Sequence, residues 1–196
     1  MKDVYEYALK AMEMLDAIGI KYGNVTEVSV NYRARRWGLC THYLNDGTFK
    51  IQINHNLLEA DNDEGLMNTM LHELLHAAAP GDHHGGMWLR YAEEVRRAYG
   101  YNIKRCSSEE EKGVAEYMAQ QRAQQAAAEQ ATKESKRYQT YCPKCNAVLN
   151  GRDRLCKYTK DVINGFRSHR GCGEIAVLRD STTGEIFTNV AKYNRA

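Results

Sequence analysis

The chain has 196 residues, 43% hydrophobic and 27% charged with only two prolines, a balance that excludes a fibrous or wholly disordered protein and allows one domain with an appendage or two small domains. A net charge of +2 conceals a division: residues 1–100 carry 10 Lys+Arg against 14 Asp+Glu, whereas residues 101–196 carry 17 against 11, so basic groups gather toward the carboxyl end, where contacts with phosphate are cheapest to make. No stretch approaches the roughly 18 apolar residues of a membrane span, and MKDVYEYALKAMEM lacks the apolar run of a secretory signal; the expectation is a cytoplasmic protein whose six cysteines stay reduced.

In chain order, Val4, Tyr7, Ala8, Ala11, Met12, Leu15 and Ile18 recur at three- and four-residue steps, which predicts an amphipathic helix stopped at Gly19. VTEVSVNYR (Val25 to Arg33) and TFKIQINHN (Thr48 to Asn56) alternate apolar and polar side chains, with an Asp-Gly turn in LNDGT; the expectation is a small antiparallel sheet. A second helix starts near Asp63 or Glu64, runs through Leu66, Met67, Met70, Leu71, Leu74 and Leu75, and stops at Pro80-Gly81. From Gly86 to Gly100, Trp88, Leu89, Ala92, Val95 and Tyr99 fall at helical steps and read as core. Residues 107–137 are rich in Ala, Gln and Glu and cannot build a core; the Ser-x-x-Glu patterns at Ser107 and Ser108 suit an exposed helix, and a flexible tether suits the composition equally. From Tyr138 to the end, β-prone pieces and cysteines mark a second small domain.

Four of the seven histidines lie between Met70 and Gly86. His72-Glu73-Leu74-Leu75-His76 is an H-E-x-x-H pattern inside the second predicted helix. Residues four apart on a helix lie one turn above each other, so both imidazoles can grip one zinc ion, and Glu73 beside them is placed to take a proton from an activated water. A catalytic zinc needs a third protein ligand and an open fourth position. On an unbroken helix a residue eight positions past His76 would lie roughly 12 Å further along the axis. The Pro80-Gly81 break lets the chain return His83 or His84 instead, and spacing alone leaves those two tied. Glu93 and Glu94 are the competing third ligands. Tyr91, Arg90 and His83 are the candidates for stabilising an oxyanion. The cluster Arg33-Ala34-Arg35-Arg36-Trp37 reads as a solvated basic strand end or as a contact with substrate or phosphate.

Four blocks, ARRWGLC (Ala34 to Cys40), KIQINHNLL (Lys50 to Leu58), TMLHELLHA (Thr69 to Ala77) and HGGMW (His84 to Trp88), resemble in order those of SprT-like zinc metallopeptidase domains. The resemblance implies that the third ligand is the histidine followed by glycine and, three positions after that glycine, an aromatic residue: His84, with Gly85 and Trp88. It further implies a zincin-like domain, peptide hydrolysis and, by analogy with relatives that cleave DNA-attached proteins, a DNA-associated protein substrate.

Cys142-Pro143-Lys144-Cys145 is a C-x-x-C knuckle, and His169-Arg170-Gly171-Cys172 supplies an H-x-x-C partner. Such a closed four-ligand zinc site is structural rather than catalytic. Cys156 is the rival of His169 for the fourth place; Cys40 and Cys106 read as buried thiols. Around the knuckles, Arg152, Arg154, Lys157 and Arg167 are interleaved with Tyr138, Tyr141, Tyr158 and Phe166, a pattern suited to single-stranded nucleic acid.

The expected architecture is α+β: a zincin-like metalloprotease domain over 1–106 with helices and a small antiparallel sheet, a helical or flexible linker over 107–137, and a β zinc ribbon over 138–196. It would hold one catalytic and one structural Zn2+ and act on protein substrate with DNA as partner. The alternative is a zinc-containing nucleic-acid-binding adaptor with little or no peptidase activity.

Overall fold

The computed structural model describes residues 1–33, 36–105 and 107–187. Two positions of the Arg33 to Trp37 cluster and the Cys106 thiol lie outside the described residues. The chain divides into two compact units, Met1–Gln120 and Gln121–Ala196.

In the first unit, α1 (Val4–Ala17) opens at Asp3, whose carboxylate accepts from the Tyr5 N–H at 2.9 Å, and buries Val4, Ala8, Ala11 and Leu15 along one stripe. Helix α3 (Asp63–Ala78) is the centre of the unit. It is capped by Asn62, which accepts from the Gly65 N–H at 2.8 Å, and it buries residues nearly all round because α1, α4 (Gly86–Tyr99) and a sheet cover it. Helix α4 stops at Gly100, whose φ of 81° is the left-handed cap glycine tolerates best. It buries Trp88, Ala92 and Val95, but Leu89, expected in the core, is exposed, because the buried stripe is narrower than the apolar periodicity suggests.

The sheet is a correction. It is mixed rather than antiparallel, in the order β1-β3-β2: β1 (Val25–Asn31) runs parallel to β3 (Thr48–Asn54), and β2 (Gly38–Tyr43) pairs antiparallel on the other edge of β3. The Asp-Gly turn therefore joins β2 to β3, with Asp46 accepting from the Thr48 N–H at 3.0 Å and Gly47 at φ 71°. Strand β2 escaped sequence reading because it shows no two-residue alternation of burial; Gly38 to Thr41 are all half-buried. A short α2 (His55–Glu59) follows β3.

Helix α5 (Ala115–Glu134) occupies most of the expected linker. The Ser108–Glu111 reciprocal pair forms, but it closes a turn rather than starting this helix. Nor is the segment without a core: Val114 is fully buried in the first unit's apolar cluster, with Tyr117 and Met118 packed against it.

The second unit is a sheet of order β5-β4-β6-β7, built from β4 (Tyr138–Tyr141), β5 (Val148–Arg152), β6 (Val177–Asp180) and β7 (Ile186–Phe187), with every pairing antiparallel. Helix α6 (Lys157–Ile163), not anticipated from the sequence, lays Val162 and Ile163 on Tyr138, Ala176, Leu178 and Phe187. Tyr138 and Tyr141 are buried in β4 and so are not free stacking faces.

Candidate active site and metal centres

Helix α3 presents His72 and His76 on one face, and the loop after it returns His84 to them. Gly81 turns at φ 79°. Asp82 then fixes the loop twice: its carbonyl accepts from the Gly85 N–H and its carboxylate from the Trp88 N–H, both at 2.7 Å, the second acting as a cap for α4. Both His83 (φ 42°) and His84 (φ 69°) are left-handed, a conformation that costs a non-glycine residue free energy and recurs at functional sites. A Cβ at position 85 would overlap the Asp82 carboxylate, so the residue after His84 must be glycine. The result is a cluster in which one donor nitrogen from each of His72, His76 and His84 lies within 4.8 Å of the others. Fully buried Trp88 lies beneath all three rings, at centroid distances of 4.9, 5.9 and 4.6 Å. His83 lines the adjoining hollow but is not in the cluster.

The cluster's electronics suit a cation. His72 Nδ1 lies 3.0 Å from the Lys104 carbonyl, which sets the tautomer: that nitrogen carries the proton and Nε2 keeps its lone pair, 3.0 Å from His84 Nε2. Burial, reinforced by the neighbouring imidazoles, lowers His72 to about 3 and His76 to about 4; His84 is lowered as well, first by burial and then by Arg105. All three are therefore neutral near pH 7. Three imidazoles that leave a fourth position free form a donor set that zinc accepts.

Glu73, nearly fully buried, sits beside the histidines. Burial raises its carboxyl to about 8, against the pull of Lys112, the Cys40 N–H and Arg36. Strand β2 passes directly over it, and a Cβ at Gly38 would overlap the carboxylate. Burial, with Glu73 adding to it, pushes the half-buried Cys40 thiol up to about 12, which leaves it protonated and inert.

Two hollows meet at Glu73. One, of about 350 Å3, is walled by Leu39, Cys40, His42, Phe49, Pro80 and His83. The other, of about 390 Å3, shares Arg36, Gly38, His72 and Glu73 with the first and adds Lys104, Arg105, Ser107 and Lys112. Arg36 is carried there by a loop that Asn54 clamps: its amide donates to the Arg33 and Arg36 carbonyls at 2.9 Å each. Sequence reasoning gave no role to Gly38, Arg105 or Lys112. Only the RWG block hinted at the first, and nothing in local pattern marks the last.

Other candidates lie elsewhere. Glu93 accepts from Arg96 and Arg97 at 2.7 to 3.0 Å, which holds its carboxyl down to about 2, and Glu94 pairs with Arg90 at 3.2 Å. Neither belongs to the histidine cluster. Arg90 and Tyr91 line neither hollow, so of the oxyanion candidates only His83 borders the site.

Residues 12–107 match the model of the SprT-like family. They form an SprT-like domain. The comparison with curated proteins returns no match. The matched stretch spans all of the histidine cluster and Glu73; Lys112, which completes the second hollow, falls beyond it.

Outside the SprT-like domain, the second unit holds another donor cluster: Cys142, Cys145, His169 and Cys172, their ligand atoms within 4.8 Å of one another. Two knuckles build it. The Asn146 N–H donates to the Cys142 carbonyl at 2.8 Å with Asn146 at φ 58°, and the Gly173 N–H donates to the His169 carbonyl at 2.7 Å with Gly173 at φ 68°. Burial raises the Cys142 thiol, but the Cys145 and Lys144 N–H groups prevail and bring it down to about 7; a hydrogen bond with Cys145 drives Cys172 up to about 11. Three crowded sulfurs and an imidazole are a donor set a tetrahedral zinc relieves. Cys156 stands apart as the N-cap residue of α6, its N–H donating to Thr159 Oγ1 at 2.7 Å.

Of the basic residues read as nucleic-acid contacts, Arg152 and Arg167 each lie against the Tyr158 ring, at 5.7 and 5.2 Å from its centroid, and Arg167 also donates to the Asp161 carboxylate at 3.3 Å. Arg154 and Lys157 are exposed and have no such contact among the described residues, and Phe166 is 75% exposed beside Arg167. No helix among the described residues is long and apolar enough to cross a membrane.

Proposed function

We infer that the chain is a zinc-dependent metalloprotease that hydrolyses peptide bonds of DNA-associated proteins in the cytoplasm. The observation that carries the reading is the convergence of three neutral imidazoles beside a buried glutamate at the meeting point of two open hollows. His72, His76 and His84 would hold the zinc. When bound, the ion supplies Lewis acidity toward a water and a carbonyl oxygen.

The chain's own residues do the rest. Glu73 accepts the proton of the attacking water and returns it to the leaving amine. Burial raises its proton affinity, which suits the return of the proton; acceptance needs the ionised carboxylate, which a cation held by the neighbouring histidines would favour. Gly38 keeps β2 close enough to hold that carboxylate still. Lys104 orients His72 through its carbonyl, and Trp88 holds the three rings in register.

The second unit would hold its own structural zinc through Cys142, Cys145, His169 and Cys172. Exposed Arg152, Arg154 and Lys157 and the exposed Phe166 support single-stranded DNA as the partner, because cations neutralise phosphates while an open aromatic face accepts an unpaired base.

The test compares wild type with Glu73→Gln on a denatured protein substrate, with and without single-stranded DNA. Wild type should cleave, faster with DNA present. Glu73→Gln should keep both zincs and DNA binding while losing roughly 100- to 10,000-fold in rate. Equal turnover by the two proteins would remove the peptidase reading.

A further inference from the structure

The two hollows that meet at Glu73 differ in charge. The 390 Å3 hollow is walled by Arg36, Lys104, Arg105 and Lys112, with Glu73 the one acid on its lining among the described residues. Lys104 is already paired with Glu111. Arg36 and Arg105 are exposed, and among the described residues neither has an ion pair. Lys112 is the unusual member. It is 7% exposed, and among the described residues its ammonium makes no hydrogen bond; Glu73 and Glu111 act on it only through their charge. Without a hydrogen-bonded partner, that ammonium is not sealed in the interior but stands at the hollow it lines, and the fold holds it in place. Gly65 on α3 lies so close to the Lys112 carbonyl that a Cβ there would overlap it, Gly113 turns at φ 63° against Asn62, and Val114 anchors the following turn in the core.

The geometry points to this hollow as a subsite for the carboxylate of an Asp or Glu side chain in the polypeptide being cut. The proposal rests on the peptidase reading and names its substrate class. One glutamate faces three cations that have no committed carboxylate partner, so the hollow keeps a surplus of positive charge that an incoming anion satisfies. The anion belongs to the polypeptide because the hollow shares His72 and Glu73 with the reacting centre. A residue of extended chain spans only about 3.3–3.6 Å, so whatever fills the hollow stands within a residue or two of the scissile bond. The other hollow shares Arg36, but the wall it does not share, with Leu39, Phe49 and Pro80, adds no lysine or arginine.

Two measurements on the zinc-loaded 196-residue chain test this. In the first, a peptide library is digested and cut sites are read by mass spectrometry. Asp and Glu should be enriched at a fixed position on one side of the cut. The enrichment should vanish in Arg36→Gln/Arg105→Gln, whose exposed side chains can be changed without touching the core, and in Lys112→Met. Cutting without acidic enrichment, or enrichment that survives both variants, overturns the subsite. The second measurement needs no turnover: fluorescence anisotropy of the Glu73→Gln chain with peptides that differ only in one Glu or Gln. The Glu peptide should bind about tenfold tighter, and the Arg36→Gln/Arg105→Gln background should abolish the difference. Equal affinity, or no measurable binding of either peptide, overturns the proposal. So does displacement of the Glu peptide by single-stranded DNA that binds this hollow more tightly. Discrimination in binding with no cleavage by wild type would remove the peptidase reading and leave the subsite standing.

Discussion

A methyl group at position 38 has nowhere to go. It would overlap the Glu73 carboxylate, which is itself walled in. Gly38→Ala should therefore displace Glu73 and lower turnover at least about tenfold, at a stability cost of roughly 1–3 kcal/mol for overpacking. Zinc content should stay at wild-type level, because the three histidines are untouched; parallel loss of zinc and activity would contradict the role given to this glycine. The histidines yield a pH prediction. Their folded values of about 3 and 4 for His72 and His76 lie below the unfolded value of about 6.5. The unfolded chain thus binds more protons in that interval, and the stabilisation, complete above about pH 6.5, is lost as pH falls toward 4 and 3. Glu73, raised to about 8, acts in the opposite direction over the same interval, so the His72 share is read as a difference: between pH 7.5 and 5, metal-free wild type should lose on the order of 2 kcal/mol relative to His72→Gln. Both tryptophans, Trp37 and Trp88, lie in the first unit, so their fluorescence in urea titrations reports this unit alone. The same dependence on pH in wild type and His72→Gln would show that the histidine contributes nothing to it. At this scale the sequence was legible where chemistry is local. The H-E-x-x-H pattern placed two imidazoles and a carboxylate on one helix face because helical geometry leaves no choice. Gly38 and Lys112 were illegible because their meaning arises where β2 and the 107–114 turn cross α3, contacts no local pattern encodes.

Elements were legible where burial is one-sided. Helix α1 displays its stripe because only one face is covered, whereas β2 shows no alternation because both of its faces are partly covered, and it was missed. That omission misassigned the Asp-Gly turn and made a mixed sheet look antiparallel. The start of α5 was misjudged for another reason: an Ala- and Gln-rich composition averages away Val114, one apolar residue inserted completely into the core. Val114→Ala should lower the stability of the first unit by roughly 2 kcal/mol through the cavity it leaves, again read by tryptophan fluorescence. Because Val114 follows Gly113 and Lys112 directly, the same variant should loosen the cationic hollow while sparing the three histidines. No change in stability would mean that α5 is a mere tether, the reading that the composition leaves level with an exposed helix.

At the scale of the whole chain, the two donor clusters perform different physical tasks, and metal removal should separate them. The first unit has an extensive apolar core around α3, so it does not depend on a metal to fold. The second relies on Tyr138, Val162, Ile163, Ala176, Leu178 and Phe187 beneath short strands, too little apolar surface to offset the ordering of that stretch without a covalent or metal staple. A structural zinc contributes about 10–16 kcal/mol in small zinc-dependent folds, enough to decide whether such a unit forms. The 196-residue chain should accordingly carry two zincs. In Cys142→Ser/Cys172→Ser one zinc should remain, and hydrogen exchange should show β4 and β6 amides losing protection while α3 keeps its own. His72→Ala/His76→Ala should likewise retain one zinc, with β4 and β6 as protected as in wild type and peptide cleavage gone; His83→Ala should retain both. If β4 and β6 stay protected after the cysteines are replaced, the second unit folds on its apolar core alone, and its knuckles must serve a purpose other than stability.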